Sequence, residues 1–378
     1  EVQTIFLKIH LSQEPDNFLK SLNKSMQWMR NNEMQEKMKT RQYVEVNGRK
    51  ILLRPKVNLE IDENGYYRRQ KNRFTEHFGT KLHPIEKDRY ILFWSKGCAW
   101  SNRVVIVITL LGLEETIKTE VVDWSENEDL GWEFVNSPSH INEETGAQFL
   151  SELYYNTDPE YLGRTTVPAI VDYKTNTIVN NDFRFLTNYL ETEFRENHME
   201  NAPDLYPYEL RKQIDDMNEW LYVNVNDAIY RTCFANSVEA YNEGYNTFFS
   251  ALDALDDRLS EQRFLLGDYV MDSDIRLYST LVRMDLNYLR HIGPSKRRLV
   301  DYKNLWEYCR ELYQIPAFSS NTYFQELAAV GDKRFKFNPY YDMVVPQTDY
   351  EKIWSDPTNR CALSKRDKGI FLKEGRFS

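Results

Sequence analysis

The stretch KGCAWSNR, residues 96–103, places Cys98 between an apolar run that reads as a strand, RYILFWS, and one that reads as a helix, SNRVVIVITLLGL. At such a junction the backbone N–H groups and the dipole of the helix start favour the thiolate, the nucleophilic form of cysteine. The competing reading of Cys98 is a small buried structural side chain. Cys233, Cys309 and Cys361 lie in helical or tail patterns and read as core or surface thiols. No second cysteine follows Cys98 closely, so a cycle that uses an external thiol suits this chain better than an internal dithiol. The six histidines show no metal-ligand spacing, and there is no glycine-rich phosphate loop, so no metal is expected.

The elements that must position Cys98 follow from periodicity. RYILFWS, the helix ending near Gly112, and KTEVVDW make a βαβ unit. The polar segment from Ser125 to about Asp158 is too long for a simple connection and predicts an inserted loop or some short structure of its own. TTVPAIVDYKTNTIV then gives two short strands, and NDFRFLTNYLETEF a helix with Asn181 or Asp182 as its cap. A βαβ unit followed by ββα is the thioredoxin-like order.

Residues 195–209 read as a linker, and from about Leu210 to Ala329 the pattern is helical throughout. Upstream, residues 16–40 carry apolar side chains at helical spacing, and YVEVNGRKILL alternates around Asn47-Gly48, a strong hairpin signal. The expected division is therefore an ordered extension over 1–88, a thioredoxin-like, thiol-binding α/β domain over 89–196, an all-α domain over 207–330, and an irregular tail over 331–378.

Composition bounds the partners. Hydrophobic residues make up 41% and aromatics 14%, too many core formers for a disordered chain. A net charge of −10 disfavours nonspecific phosphate binding, so nucleic acid is not an expected partner. The run VVIVITLLGL is about half the length needed to cross a bilayer, so no membrane partner is expected. The N-terminal residues show no secretory signal, and few cysteines without a CxxC pair point to reduced thiols in the cytoplasm.

The motifs resemble those of the glutathionyl-hydroquinone reductases, the Xi class of glutathione transferases. The family signature Cys-Pro-Trp-Ala-His-Arg is matched by Cys98-Ala99-Trp100-Ser101-Asn102-Arg103. Further matches, in order, are GWEF at 131–134, YLGRTTVPAIVD at 161–172, IVNND at 178–182, DIRLYSTLVRMDLNYLRH at 274–291 and NLWEYCRELYQIPAF at 304–318. The resemblance implies the glutathione transferase architecture, a thioredoxin-like half followed by a helical half, and a homodimer. It also implies an activity: a cysteine takes the glutathione sulfur from a glutathionyl-hydroquinone, and a second glutathione resolves the mixed disulfide.

Carried over residue by residue, the resemblance makes Cys98 the nucleophile and places Tyr230 and Tyr288 on the phenolic oxygens. Trp132 and Arg164 would hold glutathione carboxylates, Val167 before a cis Pro168 would pair with the cysteinyl backbone, and Asp182 would meet the γ-glutamyl ammonium. Structural alternatives stand beside these: Trp132 as core, Arg164 as a surface ion pair, Val167-Pro168 as a shaping turn. Asp274 reads as a buried helix cap.

Several positions depart from the family, and three of them bear on the site. Phe183 stands where a Ser hydroxyl is usual, Ala99 where a Pro opens the helix, and Asn102 where a His would add local positive charge. The expected co-substrate is glutathione or another low-molecular-weight thiol, with an aromatic, quinone-type partner. A non-catalytic binding module on the same fold is the second reading.

Overall fold

The structure is a computed structural model that describes residues 42–53, 60–125, 129–293, 295–329, 348–365 and 369–373. The helix expected over 16–40 lies outside the described residues. The hairpin is present: β1 (Tyr43–Val46) pairs antiparallel with β2 (Arg49–Leu52). Asn47 and Gly48 turn between them at φ 51° and 75°, the positive values that a type I′ turn needs.

Strand β3 (Tyr90–Trp94) is buried at every position, as a strand covered on both faces must be. Helix α1 (Ala99–Leu111) follows directly and packs Val104 to Ile108, Leu110 and Leu111 into the core. Burying each such side chain contributes about 1.5–3 kcal/mol, which makes α1 the anchor of this half. Gly112 ends the helix at φ 67°, the left-handed conformation that glycine adopts without strain.

The chain returns as β4 (Ile117–Trp124), parallel to β3, and the polar stretch beyond it holds β5 (Trp132–Phe134) and α2 (Leu150–Thr157). Of the two expectations for that stretch, short structure of its own is what occurs. The eight residues of α2 span too few turns for a strong periodic signal, and Glu152 opens the helix by accepting from the N–H groups of Gln148 and Phe149 at 2.7 and 2.9 Å.

Strands β6 (Ala169–Asp172) and β7 (Thr177–Asn180) complete a sheet of order β5-β4-β3-β6-β7. Asp182 Oδ1 accepts from the N–H groups of Arg184 and Phe185, so it caps the turn that leads into α3 (Leu186–Thr192).

The second half is helical: α4 (Arg211–Leu221), α5 (Ala228–Cys233), α6 (Val238–Glu261), α7 (Asp272–Leu281) and α8 (Lys303–Tyr313). Helix α7 is buried along its whole length. Asp274 serves as the expected structural cap, accepting from Met271 N, Leu265 N and the Tyr308 hydroxyl at 2.9, 3.0 and 2.7 Å. Burial pushes its carboxyl up to about 6 against those hydrogen bonds. A π-helical turn, Met284–Tyr288, follows α7 and carries Tyr288 at its end.

The two halves meet through buried cations. Arg276 pairs with Asp272 and donates to Arg184 O, Thr187 Oγ1 and Asn188 Oδ1 across the boundary. Residues 60–78 form a strap that touches both halves. Phe74 and Asn181 exchange hydrogen bonds on the sheet side, and Asn236 N donates to Gly65 O at 2.8 Å on the helical side. A Cβ on Gly65 would come within 2.7 Å of the Asn236 backbone, so only glycine allows that approach.

The described part of the tail wraps without long elements. A short helix, Tyr350–Trp354, buries Trp354, and Arg360 donates to Leu259 O, Gln262 O and Arg263 O. Among the described residues no helix is long and apolar enough to cross a membrane.

Candidate active site

Cys98 occupies the N-cap position of α1, at φ −83° and ψ 119°. Its thiol is half-buried and donates toward the Val167 carbonyl oxygen, with Sγ at 3.7 Å. The Val167-Pro168 peptide is cis, which turns the Val167 backbone toward the cysteine at the head of β6.

Cys98, Trp132, Arg164, Val167 and Tyr230 line a single cavity of about 400 Å³. Five of the eight residues singled out in the sequence therefore meet around one space. Pro168, Asp182 and Tyr288 do not line it. The Tyr288 hydroxyl stands 3.4 Å from that of Tyr230, a layer further from the cavity.

Burial raises both phenols. Tyr288 is pushed up to about 12, with Arg283 opposing, and Tyr230 well above its ordinary value, with Tyr288 and Cys98 adding to the rise and Arg69 opposing it. Both remain protonated near neutral pH and able to donate a hydrogen bond.

Asp182 is buried, and its Oδ1 takes the Asn72 side-chain amide at 2.7 Å in addition to its capping role. Phe183 fills the neighbouring wall and sets its ring edge-on to Trp100 at 4.7 Å. Arg164 lines the cavity, yet its Nε lies 2.6 Å from Glu60 Oε2 and its Nη2 donates to Glu60 Oε1 at 3.0 Å. The ion-pair alternative for Arg164 and its place in the cavity wall thus hold together.

Three further residues shape the site and were not singled out from sequence. Glu60 is one, and it arrives on the strap. Arg69, also on the strap, sits 4.6 Å from the ring centres of both Trp100 and Tyr230 and 5.2 Å from that of Phe183. Its Nε donates to Asp227 Oδ1 at 2.8 Å, while Nη2 is buried with no hydrogen-bond partner among the described residues. Burial works against the charge of Arg69, and Tyr67, Asp227 and Tyr230 outweigh it, so the guanidinium stays protonated.

Arg283 is the third. It donates to Lys96 O, Gly97 O and Asn102 Oδ1 at 3.1, 3.0 and 3.0 Å and so ties the loop before Cys98 to the helical half. Asn102 donates in turn to Asn321 O at 2.7 Å. The position where the family has His is thus used to brace the cysteine loop from both sides. Lys96 pairs with Glu326 at 2.7 Å, and Arg103 is fully buried against Trp100.

Of these three, Arg283 falls inside the quoted 274–291 motif, and Arg69 is flagged only by the tyrosines beside it in YYRRQ. Glu60 carries no local signal.

The profile of the "Glutathione S-transferase, N-terminal domain" matches residues 97–193, and that of the "Glutathione S-transferase, C-terminal domain" matches 238–311. The chain is 38% identical over 251 residues to glutathionyl-hydroquinone reductase YqjG of Escherichia coli K12, covering 66% of this chain and 76% of that protein. It superimposes on the glutathione-bound structure of YqjG from the same bacterium with a TM-score of 0.67 at 33% identity, covering 79% and 98% of the two chains. On the Xi glutathione transferase of Phanerochaete chrysosporium the TM-score is 0.69 at 34% identity, with coverage of 76% and 94%.

Proposed function

The chain belongs to the glutathionyl-hydroquinone reductase, or Xi-class glutathione transferase, family, and from that premise we propose that Cys98 carries out thiol-dependent reduction of an aromatic thioether. The Cys98 thiolate attacks the sulfur of a glutathionyl-hydroquinone. An S–S bond forms, the aryl C–S bond breaks, and the ring carbon keeps the electron pair and gains a proton, which releases the hydroquinone. A second thiolate then attacks the glutathione sulfur of the mixed disulfide, releasing oxidised glutathione and regenerating Cys98. Over the cycle one thiol and the thioether sulfur are oxidised to the disulfide, and one aryl carbon is reduced.

Tyr230, with Tyr288 behind it, would hold the phenolic oxygens by hydrogen bonds while charge shifts onto the ring. Trp132, Arg164 and the Val167 backbone at the cis Pro168 would seat the thiol, and Asp182 would remain the cap of the turn into α3. The observation that carries the reading is the opening of Cys98, Val167 and Tyr230 into one cavity. Phe183 in that wall favours a version in which another low-molecular-weight thiol replaces glutathione. A cytosolic homodimer joined through the helical halves accompanies the reading, by likeness to the family.

The test is release of hydroquinone from a glutathionyl-hydroquinone by purified protein, run with several thiols in parallel. Release that requires Cys98 supports the reading. Turnover unchanged in Cys98→Ala, or failure with every thiol, overturns it.

A further inference from the structure

Among the described residues, both guanidinium groups that face the cavity are already neutralised from within the chain: Arg69 by Asp227, and Arg164 by Glu60. Asp123 adds a carboxylate to the same wall. A thiol such as glutathione carries two carboxylates, so it meets a pocket whose positive charge is spent.

Glu60 is no loose surface acid. Its side chain is 12% exposed, and its carboxylate also accepts from Gln70 N at 3.1 Å and the Tyr67 hydroxyl at 3.2 Å. The strap that carries it is fixed to the same spot by a mutual pair: Gln70 Nε2 donates to Arg164 O at 2.9 Å, and Arg164 N donates to Gln70 Oε1 at 2.7 Å. An arginine offers a bidentate fork along its Nε–Nη2 edge, and Glu60 occupies that edge. An incoming carboxylate is left with the remaining edge of a neutralised cation and with a like charge beside it, an arrangement that disfavours binding.

We propose that Glu60 is a specificity-determining residue of the thiol subsite: by holding Arg164 it directs the site toward thiols whose carboxylate at that position is absent or masked. The proposal deepens the reading under Proposed function and rests on this cavity being the thiol site.

Calorimetric titration of the full chain with S-methylglutathione and with its glycyl ethyl ester tests it without any turnover, because neither ligand has a free thiol. The unmodified chain should bind the ester at least as tightly as the acid. Glu60→Gln should tighten the acid about tenfold, the size of one relieved charge contact, and shift the ester less than about twofold. The ester is the internal control, since a strap that simply comes loose would change both ligands together. The proposal is overturned by a tenfold preference of the unmodified chain for the acid, by equal shifts of both ligands in Glu60→Gln, or by no binding of either ligand. Should hydroquinone release fail while the binding pattern holds, the reaction falls and the assignment of Glu60 stands.

Discussion

The sulfur end and the carboxylate end of the cavity are built on opposite plans. At the sulfur end, backbone geometry places Cys98 at the N-cap of α1 opposite the Val167 carbonyl, and Arg283 of the helical half holds both the preceding loop and Asn102 of α1. At the carboxylate end Arg164 is already held by Glu60, and behind the wall the carboxylate of Asp182 is held by Asn72. The contrast teaches that a reaction centre and the recognition of its co-substrate can change separately. Sulfur chemistry depends on a few backbone-fixed atoms, whereas recognition depends on side chains that neighbouring segments can occupy.

The largest effect should fall at the sulfur end. Cys98→Ala should lower hydroquinone release at least about a thousandfold, read as kcat, as loss of a nucleophile does. A surviving rate would mean that the two ends do not differ in the way described.

Next come the phenols. Tyr230→Phe should lower kcat by up to about a hundredfold, with a smaller change in KM, as loss of a donor to charge that develops in the transition state, and Tyr288→Phe, which acts through the Tyr230 hydroxyl, should lower it less. Since burial pushes Tyr288 up to about 12, its donation should persist across the assay range. A fall in kcat below pH 10 that vanishes in Tyr288→Phe would contradict this.

The carboxylate end should respond more gently. Phe183→Ser restores a hydroxyl to the wall and should lower KM for glutathione about fivefold at unchanged kcat, roughly one hydrogen bond. A change in kcat instead would tie Phe183 to the sulfur end through its contact with Trp100.

The smallest effect concerns pH. Burial raises the Glu60 carboxyl, but the charge and hydrogen bond of Arg164, with Gln70 N–H and Arg69, hold it below its ordinary value of 4.5. A carboxyl depressed by folding contributes stability that is fully present above pH 4.5 and is lost only as pH falls through the lower folded value. The ratio of acid to ester affinity should therefore stay flat from about pH 5 to 8. A rise in relative acid affinity within that window would show the pair opening there.

What the sequence made legible is what neighbours in the chain determine. The β3–α1 junction and the Asn47-Gly48 hairpin each follow from residues a few positions apart, while the Val167-Pro168 turn and the Asp274 cap came with the family resemblance. α2 was hidden in a polar stretch because two turns give periodicity little to act on. Glu60 and Arg69 were invisible for a different reason. Glu60 is 104 residues from Arg164, and Arg69 is 158 residues from Asp227, so only the folded path of the strap brings them together. The match to Asp182 identified the position but not its partner, because Asn72 also lies on that strap.

The strap has a thermodynamic consequence as well. Its residues bond to the sheet half at Arg164, Asp182 and Asn181 and to the helical half at Asp227 and Asn236. A segment that can satisfy its own partners only while both halves are folded couples their melting. It converts two neighbouring units into one cooperative transition and makes the angle between them a property of the native state, not of a hinge.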